Sequence, residues 1–127
     1  MTAPTQNAQD DTVTADQNWT SICSLQDLPV DAGVAALLHA DSPEETQIAL
    51  FRTSDDAVYA ISNFDPFSEA NVLARGILCS IGEQLAVASP VLKEHFDLST
   101  GQCFEDESVS IATFPVKIAD GNVLIAA

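Results

Sequence analysis

The sequence predicts an all-β protein built from short antiparallel strands. From Trp19 onward, short apolar runs alternate with turn residues at close spacing, which is typical of antiparallel β proteins. Apolar residues make up 46% of the chain, so the chain can bury a core. Asp120-Gly121, between two β-branched runs, suits the positive φ angles of a two-residue hairpin turn. These features favour one folded domain that needs neither a disulfide nor a metal for stability.

The first eighteen residues differ in composition from the rest of the chain. Residues 1–18 are polar and rich in Thr, Asp, Gln and Ala, and we predict a flexible acidic N-terminal tail there, followed by a domain at 19–127. Only three of the nineteen acidic residues fall in the tail, so the acidity belongs to the domain. The tail also lacks the basic and apolar regions of a signal peptide.

Strands are predicted wherever an apolar run is bounded by turn residues. In chain order the predicted strands are 20–23, 33–40, 47–52, 58–62, 84–88, 95–98, 109–113, 116–119 and 122–125. If the last two strands form a type I′ hairpin, Val116 faces Ile125 and Ile118 faces Val123, which places four β-branched residues on one face.

Two segments between strands have some helical character. In "SPEET" (42–46), Ser42 could cap a short helix with Pro43 at its first position, but a hairpin loop is favoured because the next strand follows closely. In "FSEANVLARG" (67–76), we predict one helical turn that ends at Gly76.

The charge and the cysteines limit the possible partners and compartment. A net charge of −15 and a pI near 4.1 argue against nucleic acid and anionic lipid, and would favour a basic protein face; the alternative is that the charge only confers solubility or salt tolerance. No apolar run is long enough for a transmembrane helix. An odd number of cysteines (Cys23, Cys79, Cys103) without a secretion signal predicts reduced thiols in a cytoplasmic protein.

Motifs of common enzyme classes are missing. The sequence contains no Gly-rich phosphate loop, no Gly-x-Ser-x-Gly elbow and no His-Glu-x-x-His zinc motif. The run Glu105-Asp106-Glu107 near Asp97 could be an acid and base pair, but consecutive carboxylates are usually a solvated surface. We therefore expect this run to serve docking rather than catalysis.

Two proline-containing loops suggest a family. Asp65-Pro66-Phe67 follows one predicted strand, and "SPVL" (89–92) follows another, before "FDLSTGQC" (96–103). This order resembles the Rieske ferredoxin fold, in which a Cys-x-His loop and a Cys-x-x-His loop hold a two-iron cluster. The resemblance implies a Rieske-like antiparallel β-sandwich whose two loops form a vestigial cluster-binding tip.

The matching positions of this chain lack every ligand of such a cluster. Asp65 and Phe67 replace the Cys and His of the first loop, and Ser89 and Leu92 replace those of the second. Phenyl and isobutyl groups have no donor atom, so the resemblance implies a domain without a [2Fe–2S] cluster. A lone hard cation between Asp65 and Ser89 is an alternative, but two oxygens are too few for calcium. We expect instead that Asp65 accepts backbone N–H groups, while Phe67 and Leu92 fill the former cluster space.

A narrower resemblance is to the small subunits of NAD(P)H-dependent assimilatory nitrite reductase. It rests on "AISNFDPF" (60–67), "RG" (75–76), "ASPVLKEHFDLSTGQC" (88–103) and "FEDE" (104–107), and it covers residues 19–127. It implies an accessory chain that holds no cofactor and no metal and is inactive alone. The partner would be a large subunit that carries FAD, an iron–sulfur cluster and sirohaem, and that reduces nitrite to ammonium.

The residues expected to contact that partner are exposed or lie beside the loops: Phe67, Arg75, Lys93, Glu105, Asp106 and Glu107. The alternative for the two basic residues is local pairing with Glu69 or Glu94. Two other functions stay open at this point. One is an electron carrier with an unusual metal site, and the other is a cluster-free adaptor of a different redox complex.

Overall fold

The computed structural model of the chain describes residues 19–126. The strands, in chain order, are β1 (Trp19–Ser24), β2 (Ala32–Leu38), β3 (Thr46–Arg52), β4 (Val58–Ser62), β5 (Phe64–Asp65), β6 (Ala70–Asn71), β7 (Ile77–Ile81), β8 (Gln84–Ala88), β9 (His95–Asp97), β10 (Thr113–Phe114), β11 (Val116–Ala119) and β12 (Asn122–Ala126). Two 3₁₀ helices span Leu25–Asp27 and Leu73–Arg75. The predicted tail at 1–18 lies outside the described residues, so its flexibility and the domain boundary stay predictions. Within residues 19–126, no helix is long and apolar enough to cross a membrane.

The strands form three main antiparallel sheets and one small hairpin. The central sheet has the order β10-β4-β3-β2, and two three-stranded sheets have the orders β9-β8-β7 and β11-β12-β1. Strands β5 and β6 pair only with each other among the described residues. The predicted all-β, antiparallel architecture is confirmed.

Strand β3 shows how the layers are packed. Its side chains alternate between two cores, because successive residues of a strand point to opposite faces. Ala49 and Phe51 face one core, which also contains Val87 and Phe96 from the β7–β9 sheet. Ile48 and Leu50 face the other core, together with buried residues of β12. The central sheet is therefore covered on both faces, which makes the fold a β-sandwich of three layers.

The C-terminal hairpin has the predicted register. Val116 pairs with Ile125 and Ile118 pairs with Val123. Asp120 and Gly121 have φ values of 53° and 78°, as a type I′ turn requires. The prediction held because the turn and the alternation of apolar residues both act within eleven residues of sequence.

One predicted strand is wrong and three strands were missed. The segment predicted at 109–113 is strand only at its end, where β10 begins at Thr113. Before that point the chain approaches Gly101, whose φ is 81° and where an added Cβ would lie 2.0 Å from the Ile111 carbonyl oxygen. The segment forms an isolated antiparallel bridge between Gln102 and Ser110, and its apolar residues Val109 and Ile111 pack against the core. The missed strands are β7, which pairs with β8, and the two-residue strands β5 and β6, which pair with each other.

The structure also shows which conformation each of the two segments with helical character adopts. Residues 42–46 form the loop of the β2–β3 hairpin, as favoured, with the Ser42 hydroxyl accepting a hydrogen bond from Glu44 N at 3.2 Å. The predicted helical turn before Gly76 is the 3₁₀ helix Leu73–Arg75, where Gly76 N donates to the Leu73 carbonyl at 2.9 Å. The predicted strand at 33–40 stops at Leu38, because His39 turns the chain with a φ of 56°.

Candidate interaction site at the two-loop tip

The two proline-containing loops meet at one end of the molecule. The first loop (63–76) joins β4 to β7, and the second loop (89–94) joins β8 to β9. Ile77 pairs with Ala88, so the end of the first loop runs beside the start of the second. We call these two loops the tip. The predicted convergence of the loops is confirmed.

Asn63 fixes both ends of the first loop. This buried side chain donates to Gln47 Oε1 at 3.1 Å, and its Oδ1 accepts from Ala74 N at 2.7 Å. Its backbone carbonyl accepts a further hydrogen bond from Leu73 N. The loop is therefore anchored to β3 and to its own 3₁₀ helix by one side chain, which the sequence analysis did not identify.

Asp65 and Ser89 join the two loops directly. The Ser89 hydroxyl donates to Asp65 Oδ2 at 2.6 Å, and both side chains are buried. These are the positions at which the resemblance places the two Cys ligands. A single charge-assisted hydrogen bond thus links the loops at the positions where a cluster would link them covalently.

Asp65 accepts two further hydrogen bonds. Its Oδ1 accepts from Phe67 N at 2.9 Å, as predicted for a turn aspartate, and its Oδ2 accepts from Ser68 Oγ at 2.9 Å. Burial alone would raise the pKa of this carboxyl. The hydrogen bonds from Ser89, the Phe67 backbone and Ser68 outweigh burial, so the pKa lies below its ordinary value and the buried carboxylate is charged.

Phe67 packs into the core next to the hydrogen bond between Asp65 and Ser89. Its side chain is half-buried and packs against the core under the tip. Its ring centroid is 6.1 Å from that of Phe96, with the rings inclined at 41°. This contact lies within the range of favourable aromatic pairs, so the predicted packing role of Phe67 is confirmed.

Leu92 does not share that role, and the prediction that it fills the cluster space is wrong. Its side chain is 51% exposed, and the neighbouring Val91 is 50% exposed. The second loop closes through hydrogen bonds from Ser89 N to the Glu94 carbonyl at 2.8 Å and from Val91 N to Ser89 Oγ at 3.3 Å. This closed turn holds Val91 and Leu92 away from the core.

Gly76 is needed where the loops run side by side. An added Cβ would lie 2.3 Å from the Ala88 carbonyl oxygen and 2.7 Å from a Val87 methyl group. Its φ of −74° is open to any residue, so the requirement is for space and not for backbone freedom.

Arg75 and Lys93 are both exposed at the tip. Within residues 19–126, neither forms an ion pair with a carboxylate, so the alternative of local pairing with Glu69 or Glu94 is not supported. Two of the chain's four basic side chains therefore stand beside the loops with their charges uncompensated by a described neighbour.

The acidic run near the tip is partly structural. Glu105 accepts from His95 N at 2.8 Å and lies 2.5 Å from His95 Nδ1. Burial acts to raise the pKa of Glu105, but the hydrogen bonds and charge of His95 lower it overall. Asp106 accepts from Ser108 N and Oγ at 3.0 and 2.6 Å, and these bonds lower its pKa. Glu107 is exposed.

Asp97 and Cys103 also have structural environments. Asp97 is buried, and its carboxylate accepts from Gln84 Nε2 at 2.7 Å and from Ser99 N at 2.7 Å. Cys103 lies in the core, and burial raises the pKa of its thiol. These contacts give no support to the acid and base alternative. All three cysteines are within the described part of the chain, and each is free of a disulfide there.

The tip does not fit a [2Fe–2S] cluster. Of the four ligand positions, one holds a carboxylate with donors on both oxygens, one a hydroxyl that is already paired, and two hold hydrocarbon side chains. The lone-cation alternative has no support either, because donors occupy the Asp65 oxygens. Across residues 19–126, no group of three or more His, Cys, Asp or Glu side chains is placed to hold a metal ion.

Comparison with known proteins agrees with this description. The family model for the Rieske-like [2Fe-2S] domain matches residues 18–126. The NADH nitrite reductase small subunit of Escherichia coli K12 is 42% identical over 106 residues, which cover 83% of this chain and 94% of that protein. The solution structure of the NAD(P)H nitrite reductase small subunit from Erwinia carotovora has a TM-score of 0.72 and 45% identity, covering 86% of this chain and 81% of that one.

A third relative is a larger protein. A large subunit of NAD(P)H nitrite reductase from Klebsiella oxytoca is 38% identical to this chain over 118 residues. These residues cover 93% of this chain but 12% of the Klebsiella protein. That large subunit therefore contains a segment similar to nearly the whole of the present chain.

Proposed function

Because the chain belongs to the family of Rieske-like small subunits of NAD(P)H nitrite reductase, it is part of that oxidoreductase, and we propose that it binds the large subunit without carrying a redox centre itself. The observation that carries this proposal is the hydrogen bond between Asp65 and Ser89. It closes the tip at the positions where a cluster would otherwise be held. A domain closed in this way can still present a defined surface, although it has no group to accept an electron.

The Klebsiella relative supports the identity of the partner. A segment similar to this chain is part of a nitrite reductase large subunit there. A domain that occurs within the partner's own chain in one organism is expected to contact that partner when it is a separate chain in another. The partner proposed here is accordingly the nitrite reductase large subunit, and the site of assembly is the cytoplasm.

The chemistry is assigned to the partner. Nitrite reduction to ammonium needs six electrons, and the proposal places FAD, an iron–sulfur cluster and sirohaem in the large subunit as the groups that transfer them. The present chain contributes contacts that stabilise the active arrangement of the complex. Its own free energy of unfolding should rise when the partner binds, since the partner binds the folded state.

The six predicted contact residues have different parts in this proposal. Arg75, Lys93 and Glu107 are exposed and available to a partner. The other three, Phe67, Glu105 and Asp106, are engaged in packing or hydrogen bonds within the chain. We propose that these three side chains hold the surface in shape and contact the partner with only part of their atoms.

Purification of the complex tests the proposal. The large subunit should co-elute with the chain in size-exclusion chromatography, and flavin and sirohaem absorption should travel with the complex. The isolated chain should be colourless, contain no iron and reduce no nitrite. Iron or visible absorption in the isolated chain would contradict the proposal and support an electron carrier. Co-elution with other proteins and not with the large subunit would support an adaptor of another complex.

A further inference from the structure

Exposed apolar side chains lie in the second loop and directly after the first loop, and Phe64, near the start of the first loop, is also 42% exposed. Ile77 is 70% exposed, and Val91 and Leu92 are about half exposed. We call these three residues the tip patch. Large apolar side chains are normally exposed singly, so a group of three at one end of a domain indicates a binding surface.

The hydrogen-bonding pattern places Ile77 next to the end of the strand from which the second loop begins. Ile77 pairs with Ala88, the last residue of β8, and the second loop begins at the next residue. That loop folds back through the bond from Ser89 N to the Glu94 carbonyl, with Val91 and Leu92 at its outer turn. The bond between Ser89 and Asp65 then holds this turn against the first loop.

The charges around the tip patch differ from those of the rest of the molecule. Arg75 lies two residues before Ile77, and Lys93 follows Leu92 directly. The chain's other two basic side chains are engaged elsewhere. Arg52 pairs with Asp56 at 2.7 Å, and Lys117 Nζ lies 4.8 Å from the centroid of the Trp19 ring. In a chain with a net charge of −15, the tip therefore holds two exposed basic side chains, together with the exposed carboxylate of Glu69.

We propose that the tip patch inserts into an apolar recess on the nitrite reductase large subunit whose rim carries carboxylates. This inference rests on the proposed function and adds the chemistry of the partner's face. Burial of Ile77, Val91 and Leu92 supplies affinity, as apolar anchors do at the centre of an interface. Arg75 and Lys93 at the rim orient the encounter and select an acidic face, although the chain as a whole is strongly acidic.

A second copy of the chain fits this surface less well. Two tip patches in contact would bring Arg75 and Lys93 of one copy close to those of the other, and like charges oppose such contact. Val30 and Leu37 lie elsewhere on the domain and are each 47% exposed, close to the exposure of Val91 and Leu92. They therefore provide a matched comparison. Neither of them adjoins an Arg or Lys in the sequence.

Binding of full-length variants to the purified large subunit of the same organism tests the inference. Leu92→Asp should weaken binding by at least about 30-fold, because it places a carboxylate in an apolar recess with an acidic rim. Lys93→Glu should weaken binding by about 5-fold and reduce its dependence on salt. Leu37→Asp is the matched control at equal exposure, and we expect less than about a 2-fold change. Thermal unfolding of each variant shows whether the fold is intact.

The outcomes separate the two proposals. If the wild-type chain fails to bind the large subunit, the proposed function itself is wrong. If the wild type binds and folded Leu92→Asp binds equally well, the tip patch is not the contact and the inference is overturned, while the proposed function stands. If Leu92→Asp abolishes self-association and leaves large-subunit binding unchanged, the occupant is a second copy, and the inference is also overturned.

Discussion

The base and the outer surface of the tip differ in burial and in bonding. At the base, Asp65 and Ser89 are buried and hydrogen-bonded to each other, and Phe67 packs on Phe96. At the outer surface, Leu92 is 51% exposed. All four positions that correspond to cluster ligands lack the ligand side chain, but two of them are buried, Phe67 is half-buried against the core, and Leu92 is at the surface.

This difference indicates two separate structural requirements of a tip without cluster ligands. The loops must be held together by another interaction, and here a buried carboxylate provides it. The outer surface can then take any side chain that a partner favours. Stability should therefore depend on the base, and binding should depend on the outer surface.

The largest effect on stability should come from Asp65→Ala. The change removes the acceptor for Ser89 Oγ, Ser68 Oγ and Phe67 N, and leaves buried donors unpaired. We expect a loss of about 4 kcal/mol in the free energy of unfolding, measured by urea denaturation. Glu83→Ala, at an exposed turn position, is the control and should change stability by less than about 0.5 kcal/mol. If Asp65→Ala caused a similarly small loss of stability, stability would not depend on the base of the tip more than on its outer surface.

Phe67→Ala should be the next most damaging change. It removes a half-buried ring that packs on Phe96 and leaves a cavity at the base. We expect a loss of about 2.5 kcal/mol, at the lower end for a phenylalanine because burial is partial. Calorimetric unfolding measures the change, and Phe67→Leu should recover about half of the lost stability. A Phe67→Ala protein as stable as the wild type would show that the ring does not support the loops.

Gly76→Ala should test the contact between the loops. The added methyl group would approach the Ala88 carbonyl oxygen to 2.3 Å, and the loops must separate to admit it. We expect a loss of about 2 kcal/mol. Gly82→Ala is the control, because it has a φ of 63° but nothing within 4 Å of the added atom, and should cost about 1 kcal/mol from backbone strain alone. Equal losses in the two variants would argue against tight packing between the loops.

Acid should weaken the base specifically. The pKa of Asp65 is lower in the folded chain than its ordinary value of 3.8, so the charged carboxylate stabilises the fold above that pH. This contribution is lost as the pH falls below about 4 toward the folded-state pKa. Urea unfolding between pH 5 and pH 2.5 should show a steeper loss for the wild type than for Asp65→Asn. If the two proteins lost stability with falling pH to the same extent, Asp65 would have the same pKa in the folded and unfolded states.

The smallest effect on stability should come from the outer surface. Leu92→Ala removes a side chain that is half exposed in the folded chain, so we expect a change of less than about 0.5 kcal/mol in the free energy of unfolding. The same variant should weaken binding to the large subunit. A loss of stability above about 2 kcal/mol would show that Leu92 fills the tip. The base and the outer surface would then not differ in their contribution to stability.

Strand positions were predictable where local signals agreed. Strands β4, β8 and β11 have the predicted bounds, because their apolar runs are closed on both sides by turn residues. Strand β7 was missed although Gly76 and Gly82 flank its apolar run, and its pairing with β8 establishes it. The apolar residues Val109 and Ile111 gave a false strand signal because they pack against the core, while their segment forms an isolated bridge at Ser110.

The candidate site was predictable in its chemistry and not in its geometry. The residue types at Asp65, Phe67, Ser89 and Leu92 exclude a cluster whatever their positions in space. That Glu105 would hydrogen-bond to His95 could not be read from a run of three carboxylates. The exposure of Ile77 was also missed, because a lone isoleucine after a glycine has no sequence signal for a binding surface.

The sequence by itself determined the all-β class, the C-terminal hairpin, the acidity and the absence of cluster ligands, because each depends on residue type or on neighbours within one turn. The tertiary structure alone decided which former ligand positions are buried. Ser89 is 24 residues from Asp65, and the bond between them forms only when the β7–β9 sheet packs on the central sheet. The same packing leaves Leu92 at the surface, and its exposure therefore depends on contacts far from it in sequence.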